Sequence, residues 1–290
     1  MSAADKKYQD IIRDVLSNGV WDYDGEVRPV YSDGSTAHSK SIFGGQVKFQ
    51  PWEVPVVSIK KTPVQSSINE VVHAFFRLNT NKISDFEELG IGYWKDWELS
   101  DGTIGESYGK QLAKTVEIKQ DYGTVREVNQ VEKILHDLTY DPFSRRIMFN
   151  YWNFEELNEK SLQECAFGGQ FNVRKDKHGI LRLDFLLIQR SVDVLHGLPS
   201  NWAGYYALQC TLAELFGFKV GTFTHQMGNI HLYDNQIELA KELLEQDAEE
   251  FNQPSIWVNP DVFNFYDFGV DDIKYYGYEH GKSFRTEVAI

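Results

Sequence analysis

Only two cysteines, Cys165 and Cys210, occur in 290 residues, and they stand 45 positions apart. That count excludes a disulfide framework and the paired-thiol spacing of a structural metal site. The eight histidines are scattered without ligand spacing, so no metal is expected. No apolar run approaches the roughly 20 residues that a spanning helix needs, and no apolar signal segment follows the charged N-terminus. The expected location is the cytoplasm, with no membrane partner. Positive charge is scarce too: 29 Lys and Arg face 43 Asp and Glu, a formal net charge of −14 without any basic tract. Counterion release needs clustered cations, so nucleic acid is not an expected partner. Small anions remain candidates wherever arginines converge. Also missing are a strand-coupled G-x-G-x-x-G, an H-E-x-x-H and a G-x-S-x-G. Gly277 to Ser283 comes closest to a phosphate loop, but it is one residue short and no helix follows it.

What is present is enough apolar material for a large core: 42% hydrophobic and 14% aromatic residues. There is no internal repeat, low-complexity stretch or long linker, so residues 1–290 are taken as one domain. Tyr8, Ile11, Ile12, Val15 and Leu16 predict a helix closed by Gly19. Ser41 to Phe49 reads as a strand, and Ile68, Val71, Val72, Phe75 and Phe76 form a second helical stripe. Asp85 to Gly109 reads as irregular, and Val128 to Leu138 as a helix ended by Asp141-Pro142. Gln170 to Arg174 and Leu181 to Gln189 predict a hairpin turning at Lys177-His178-Gly179. Asn201 to Phe216 is apolar enough for a buried helix. Val220 to Tyr233 follows as a strand, Ile237 to Leu244 as a helix, and Val262 to Phe268 and Ile273 to Tyr278 as short strands. Helices and strands do not alternate regularly, which predicts an α+β fold with a mixed or antiparallel sheet.

Taken alone, Cys165 reads as a small buried hydrophobe at the start of a strand. Its company alters that reading: Gln189-Arg190-Ser191-Val192-Asp193, Leu198-Pro199-Ser200-Asn201 and Gly228-Asn229-Ile230-His231-Leu232-Tyr233. With Ser41-Ile42-Phe43-Gly44, Ile68-Asn69-Glu70, Tyr93-Trp94-Lys95-Asp96-Trp97, Tyr108-Gly109-Lys110-Gln111, Ser144-Arg145-Arg146-Ile147 and the terminal Glu287-Val288-Ala289-Ile290, these segments resemble the thymidylate synthases. That folate-dependent family methylates deoxyuridine monophosphate.

The resemblance implies a homodimer with a large twisted sheet at the interface. It implies that Arg145 and Arg146 reach across to the partner's phosphate, while Arg28, Arg190, Ser191 and Gln189 hold the nucleotide from the same chain. Without the family, Arg145-Arg146 reads as a solvated basic pair. Planar guanidinium groups suit bidentate phosphate contacts. Cys165 is implied as the nucleophile that adds to C6, its thiolate favoured by Arg190 and the partner's Arg146. Glu70, otherwise an exposed helix position, is implied to organise proton transfer, and Tyr108 to stand near C5. Asn201 is implied to read the uracil edge, since an amide both donates and accepts. His231 and Tyr233 are implied to hold the deoxyribose hydroxyl, and Asp193 to bind substrate and the pterin. Trp94 and Trp97 are implied to line the folate, and Ala289 and Ile290 to close the site over it. The co-substrate implied is 5,10-methylenetetrahydrofolate.

Three features depart from the pattern. Many members have Pro-Cys-His where this chain has Glu164-Cys165-Ala166. Glu164 would raise the thiol pKa if it pointed inward, and it is expected to point away. Gly168 and Gly169 replace bulkier residues, which permits a wider pocket, and Asn229 stands where aspartate is common. A wider wall keeps open a deoxyuridylate hydroxymethylase, in which water captures the methylene intermediate. A protein that binds nucleotide without turnover is a further alternative, opposed by the presence of Cys165 and Glu70.

Overall fold

The computed structural model describes residues 2–119, 125–284 and 286–289. Ser2 accepts a hydrogen bond from the Asp5 amide at 3.4 Å and starts helix α1 (Ala3–Asn18), which buries Tyr8, Ile11, Ile12 and Val15. Gly19 ends it as expected, but in extended backbone; a Cβ there would lie 2.4 Å from the Val15 carbonyl oxygen. Strands β1 (Val20–Trp21) and β2 (Ser39–Phe49) follow.

The stripe at Ile68 to Phe76 has α-helical spacing, yet only Val64–Ile68 (α2) is α-helical; Asn69–Arg77 continues as a π-helix. Its wider turn carries an unbroken buried run from Asn69 to Phe76. Glu70 is therefore buried, not exposed as the sequence suggested. Asp85 to Gly109 is more regular than expected: it lies among α3 (Ile83–Glu88), a 3-10 turn at Tyr93–Trp97 and α4 (Gly109–Leu112).

A hairpin of β3 (Thr115–Lys119) and β4 (Val125–Asn129) precedes α5 (Gln130–Tyr140). Val128 thus belongs to a strand, because Asn129 and Glu132 form a reciprocal capping box that fixes the helix start after it. Strand β5 (Met148–Asn150) leads to β6 (Ala166–Lys175) and β7 (Leu181–Asp193), joined by the predicted turn with Gly179 at φ +81°. Helix α6 (Gly197–Leu215) is buried nearly all round and crosses over to β8 (Lys219–Tyr233). Helix α7 (Ile237–Glu245) and a hairpin of β9 (Ser255–Val258) with β10 (Ile273–Tyr276) complete the order. The strand expected at Val262 to Phe268 is instead a loop with a 3-10 turn, because the Asn264 side chain caps the Tyr266 amide at 3.2 Å.

The main sheet runs β1-β2-β8-β7-β6-β5, antiparallel except for the β7–β8 pair. The α6 crossover makes that pair parallel, so the sheet is mixed and the α+β expectation holds. One face packs on α1, α6 and the π-helix around Trp202, Phe75, Phe185 and Phe223. No helix among the described residues is long and apolar enough to cross a membrane.

Gly204 lets α6 approach α2, since a Cβ there would lie 2.5 Å from the Ser67 carbonyl oxygen and 2.7 Å from Val71 Cγ2. Gly204→Ala is expected to lower the unfolding free energy by about 1–3 kcal/mol, the usual cost of overpacking. Urea denaturation reads this directly, and an unchanged midpoint would mean that the two helices part freely.

Candidate active site

Cys165 sits at the entrance to β6, beside a register shift between Ala166 and Gly168. Its amide donates to the Tyr108 hydroxyl at 3.0 Å, and its carbonyl accepts from the Arg190 amide at 2.8 Å. The Arg190 side chain donates through Nε to the Glu164 carbonyl and through Nη2 to the Gln163 carbonyl, both at 2.8 Å. A thiolate favoured by arginine was expected. Burial is the largest influence and pushes the Cys165 thiol up; Arg190 pulls it down, as expected, while Asp193 and Glu164 push it further up and the Tyr108 hydrogen bond lowers it. Desolvation is the largest of these influences, so the chain's own arginine does not overcome it. The Glu164 side chain is fully buried and paired with Lys160, and its charge still acts to raise the thiol.

Tyr108 has φ 43° and ψ −104°, a strained conformation for a non-glycine residue. Close packing enforces it, since a Cβ on the following Gly109 would lie 2.4 Å from the Thr80 carbonyl oxygen. The Tyr108 ring stacks on Phe75 with centroids 4.6 Å apart and meets Trp94 at 5.5 Å. Trp94 Nε1 donates to Glu70 Oε1 at 2.6 Å. Burial raises the Glu70 carboxyl to about 7, against the lowering effect of hydrogen bonds from Trp94 and Tyr93. Glu70, Trp94, Tyr108 and Cys165 thus form a connected chain. Trp97, half-buried, meets Trp94 edge-on at 5.7 Å.

On the other side, Asn201 Nδ2 donates weakly to the buried Gln189 Oε1 at 3.3 Å, leaving both amides with unused capacity. Ser191 is half-buried on β7 beside Asn229 of β8. His231 Nδ1 pairs with Asn229 Oδ1 at 2.9 Å, and burial pushes the imidazole toward its neutral form. Tyr233 is half-buried with its ring edge-on to His231. Asp193 Oδ1 accepts from the Leu195 and His196 amides at 2.8 and 2.9 Å, while Oδ2 has only a weak contact from Gln236 at 3.3 Å.

Arg28, Arg145 and Arg146 are exposed, and none of them is among the charges acting on the Cys165 thiol. Ala289 is half-buried, and Ile290 lies outside the described residues. No group of three or more His, Cys, Asp or Glu suited to a metal ion occurs among the described residues.

The family model for thymidylate synthase matches residues 6–290. The chain belongs to the thymidylate synthase family. It is 36% identical to thymidylate synthase 1 of Bacillus subtilis strain 168 over 291 residues, covering 100% of each chain. It is 37% identical to the thymidylate synthase of Lactococcus lactis subsp. cremoris, covering 96% of each. Its fold superposes on the thermostable thymidylate synthase A of Bacillus subtilis with a TM-score of 0.88, at 35% identity and 99% coverage of both chains. It is accordingly an enzyme of the methyltransferase type.

Against that family's pattern the two glycines of β6 do not widen the pocket. A Cβ at Gly169 would lie 2.7 Å from the rings of Phe149 and Phe185, and one at Gly168 would lie 2.7 Å from the Phe149 carbonyl oxygen. Neighbouring aromatic and backbone atoms already fill the space that larger side chains would take.

Several participants escaped the sequence reading. Lys60 is buried and donates to the Leu195 carbonyl at 2.5 Å, with its pKa lowered to about 8 by burial. Trp152 lies 5.3 Å beneath the Arg190 guanidinium. His196 Nε2 pairs with Thr286 Oγ1 at 2.6 Å and anchors the terminal segment. Only the adjacency of Lys60 to the Glu70 helix, and of His196 to Asp193, signalled these residues in the sequence.

The Glu70 carboxyl titrates higher in the folded chain than its ordinary value of 4.5. The resulting stabilisation is full below about pH 4.5 and is lost as pH rises through about 7. Relative to Glu70→Gln, the natural chain should lose about 3 kcal/mol of stability between those limits. Urea unfolding of both proteins across this range checks the sign, and parallel profiles would contradict the burial of an ionisable carboxyl.

Proposed function

We propose that the chain, acting over residues 1–290 as one catalytic domain in the cytoplasm, converts deoxyuridine monophosphate to thymidylate with 5,10-methylenetetrahydrofolate as co-substrate. The observation that carries the reading is Cys165 held between Tyr108 and Arg190, with Glu70, Asp193 and Asn201 around it, in a full-length match to the family.

The uracil ring is a poor nucleophile at C5. Addition of the Cys165 sulfur to C6 places the displaced electron pair as an enolate across C5 and O4. Asn201 and Gln189 are placed to read the O4 and N3 edge, and the amide at 201, unlike a carboxylate, suits uracil over cytosine. His231, neutral through burial, and Tyr233 offer hydroxyl-binding groups for the deoxyribose. Arg28 and Ser191 hold the phosphate from one chain, and Arg190 both approaches it and steadies the nucleophile. Tyr108 stands against Cys165 for proton removal at C5. Glu70, with a pKa of about 7, can exchange a proton near neutrality.

The reduced folate supplies the one-carbon unit and then the hydride. The residues suit a planar pterin: Asp193 Oδ2 is nearly unpartnered, and Trp94 and Trp97 present aromatic surface. Ala289 and Ile290, on the segment anchored through Thr286, close this side and exclude water. Two copies are read as pairing through the outer sheet face, where Gln46, Lys48, Gln170, Leu186 and Thr224 line a shallow groove, with Phe43 87% exposed on the same sheet. Arg145 and Arg146 then serve the partner's phosphate. The hydroxymethylase reading is weakened, because its support was a wider wall at Gly168-Gly169, and Phe149 and Phe185 fill that space.

Incubation with deoxyuridine monophosphate and methylenetetrahydrofolate, followed by mass spectrometry, should give thymidylate and dihydrofolate. Cys165→Ser should abolish both products. Hydroxymethyl-deoxyuridylate with tetrahydrofolate would overturn the synthase reading, and turnover by Cys165→Ser would overturn the nucleophile.

A further inference from the structure

Lys160 and Glu164 form the one ion pair among the described residues whose two side chains are both fully buried. Lys160 Nζ donates to both carboxylate oxygens, at 2.7 and 2.9 Å. A free lysine would lose much side-chain entropy in such a geometry, so the pair persists because its surroundings fix it.

Those surroundings lead directly to the nucleophile. The backbone at Lys160 bridges to Gly105, and the Glu106 amide donates to the Glu159 carbonyl at 3.0 Å. Gly105 has φ +74°, and a Cβ there would lie 2.1 Å from the Glu159 carbonyl oxygen, so the approach needs glycine twice over. Ser107 Oγ donates to the Leu162 carbonyl at 3.0 Å, one residue before strained Tyr108. At the far end, Arg190 grips the carbonyls of Gln163 and Glu164. Trp152 is the shared floor: its ring lies 5.3 Å from the Arg190 guanidinium and 6.0 Å from Lys160 Nζ.

We propose that Lys160 and Glu164 are a positioning pair for Cys165, in which Lys160 clamps the Glu164 carboxylate so that, among the charges around the thiol, Arg190 outweighs Glu164. The inference rests on the reading of Cys165 as nucleophile. Glu164 occupies the position where many family members carry proline, a residue that stiffens the chain through its ring. Here a buried charge pair does the stiffening, and it makes thiol reactivity depend on the pair's balance.

The groups facing Cys165 come from every element around it. Arg190 and Asp193 belong to β7, Tyr108 precedes α4, Tyr205 lies on α6, Tyr233 ends β8 and Glu164 adjoins in sequence. Arg190 favours the thiolate, whereas Asp193 and Glu164 oppose it. Removing Lys160 leaves the Glu164 charge uncompensated one residue before Cys165, and removing the Glu164 charge leaves Arg190 less opposed.

The test is the pH dependence of iodoacetamide labelling of Cys165 in the full-length protein, without nucleotide or folate, quantified on the Cys165 peptide with buried Cys210 as internal reference. Lys160→Met should move the labelling midpoint to higher pH, and a shift of one unit corresponds to about tenfold slower labelling at neutral pH. Glu164→Gln should move it in the opposite direction, and the double variant should return toward the natural chain. Opposite shifts that cancel support the positioning pair. Unchanged midpoints in both single variants, with only the melting temperature lowered, would overturn it. If Lys160→Met fails to fold by near-ultraviolet circular dichroism, Glu164→Gln decides alone: a lower midpoint supports the pair and an unchanged one overturns it. Because labelling needs no turnover, this outcome is separable from the catalytic test of Cys165→Ser.

Discussion

Arg190 fixes where Cys165, the proposed nucleophile, stands. Its guanidinium spends two donors on consecutive carbonyls, Gln163 and Glu164, and its own amide holds the Cys165 carbonyl. A planar fork can do this; an ammonium cannot span two carbonyls in fixed geometry. The central strand β7 thereby dictates the path of the chain into β6. The strand also carries Gln189 on one side of Arg190 and Ser191 and Asp193 on the other, so one element sets four of the proposed site positions.

The electrostatics of the site are ruled by desolvation rather than by net charge. A chain with formal charge −14 would repel an anionic nucleotide at long range. Burial acts locally and in different directions: it raises the Glu70 carboxyl to about 7 and the Cys165 thiol, and lowers Lys60 to about 8. Glu70 and Lys60, fully charged in water, are thus brought close to neutrality, where a proton can be exchanged at small cost, whereas the Cys165 thiol is moved further from it. The same enclosure explains why Cys165 is not activated by its own chain's arginine alone. Arg145 and Arg146 are exposed, and in the proposed dimer they are the cations that a second subunit would bring.

Much of the fold was legible because apolar spacing is a local signal. The α1 stripe, the β6–β7 hairpin with its Gly179 turn and the buried α6 could all be read from periodicity. The π-helix could not, because Ile68 to Phe76 satisfies α spacing and only packing decides the wider turn. That difference moved Glu70 from an expected surface position into the core. Glu164 shows the complementary limit: nothing in Glu164-Cys165-Ala166 reveals that Lys160, four residues earlier, buries with it. At Gly168-Gly169, counting missing side-chain atoms suggested room, whereas Phe149, distant in sequence, had taken it. Motif order identified the family; the balance of charge around Cys165 required three dimensions.

The most direct measurement is the site of covalent attachment to a nucleotide that cannot complete the reaction. Fluorine at C5 of deoxyuridine monophosphate blocks proton loss there, so sulfur addition at C6 is trapped once the one-carbon unit has joined. Peptide mass mapping after incubation of the protein with this analogue and methylenetetrahydrofolate should place the added mass on the Cys165 peptide alone. Added mass on the Cys210 peptide, or a protein left unmodified under conditions of full turnover, would contradict the account.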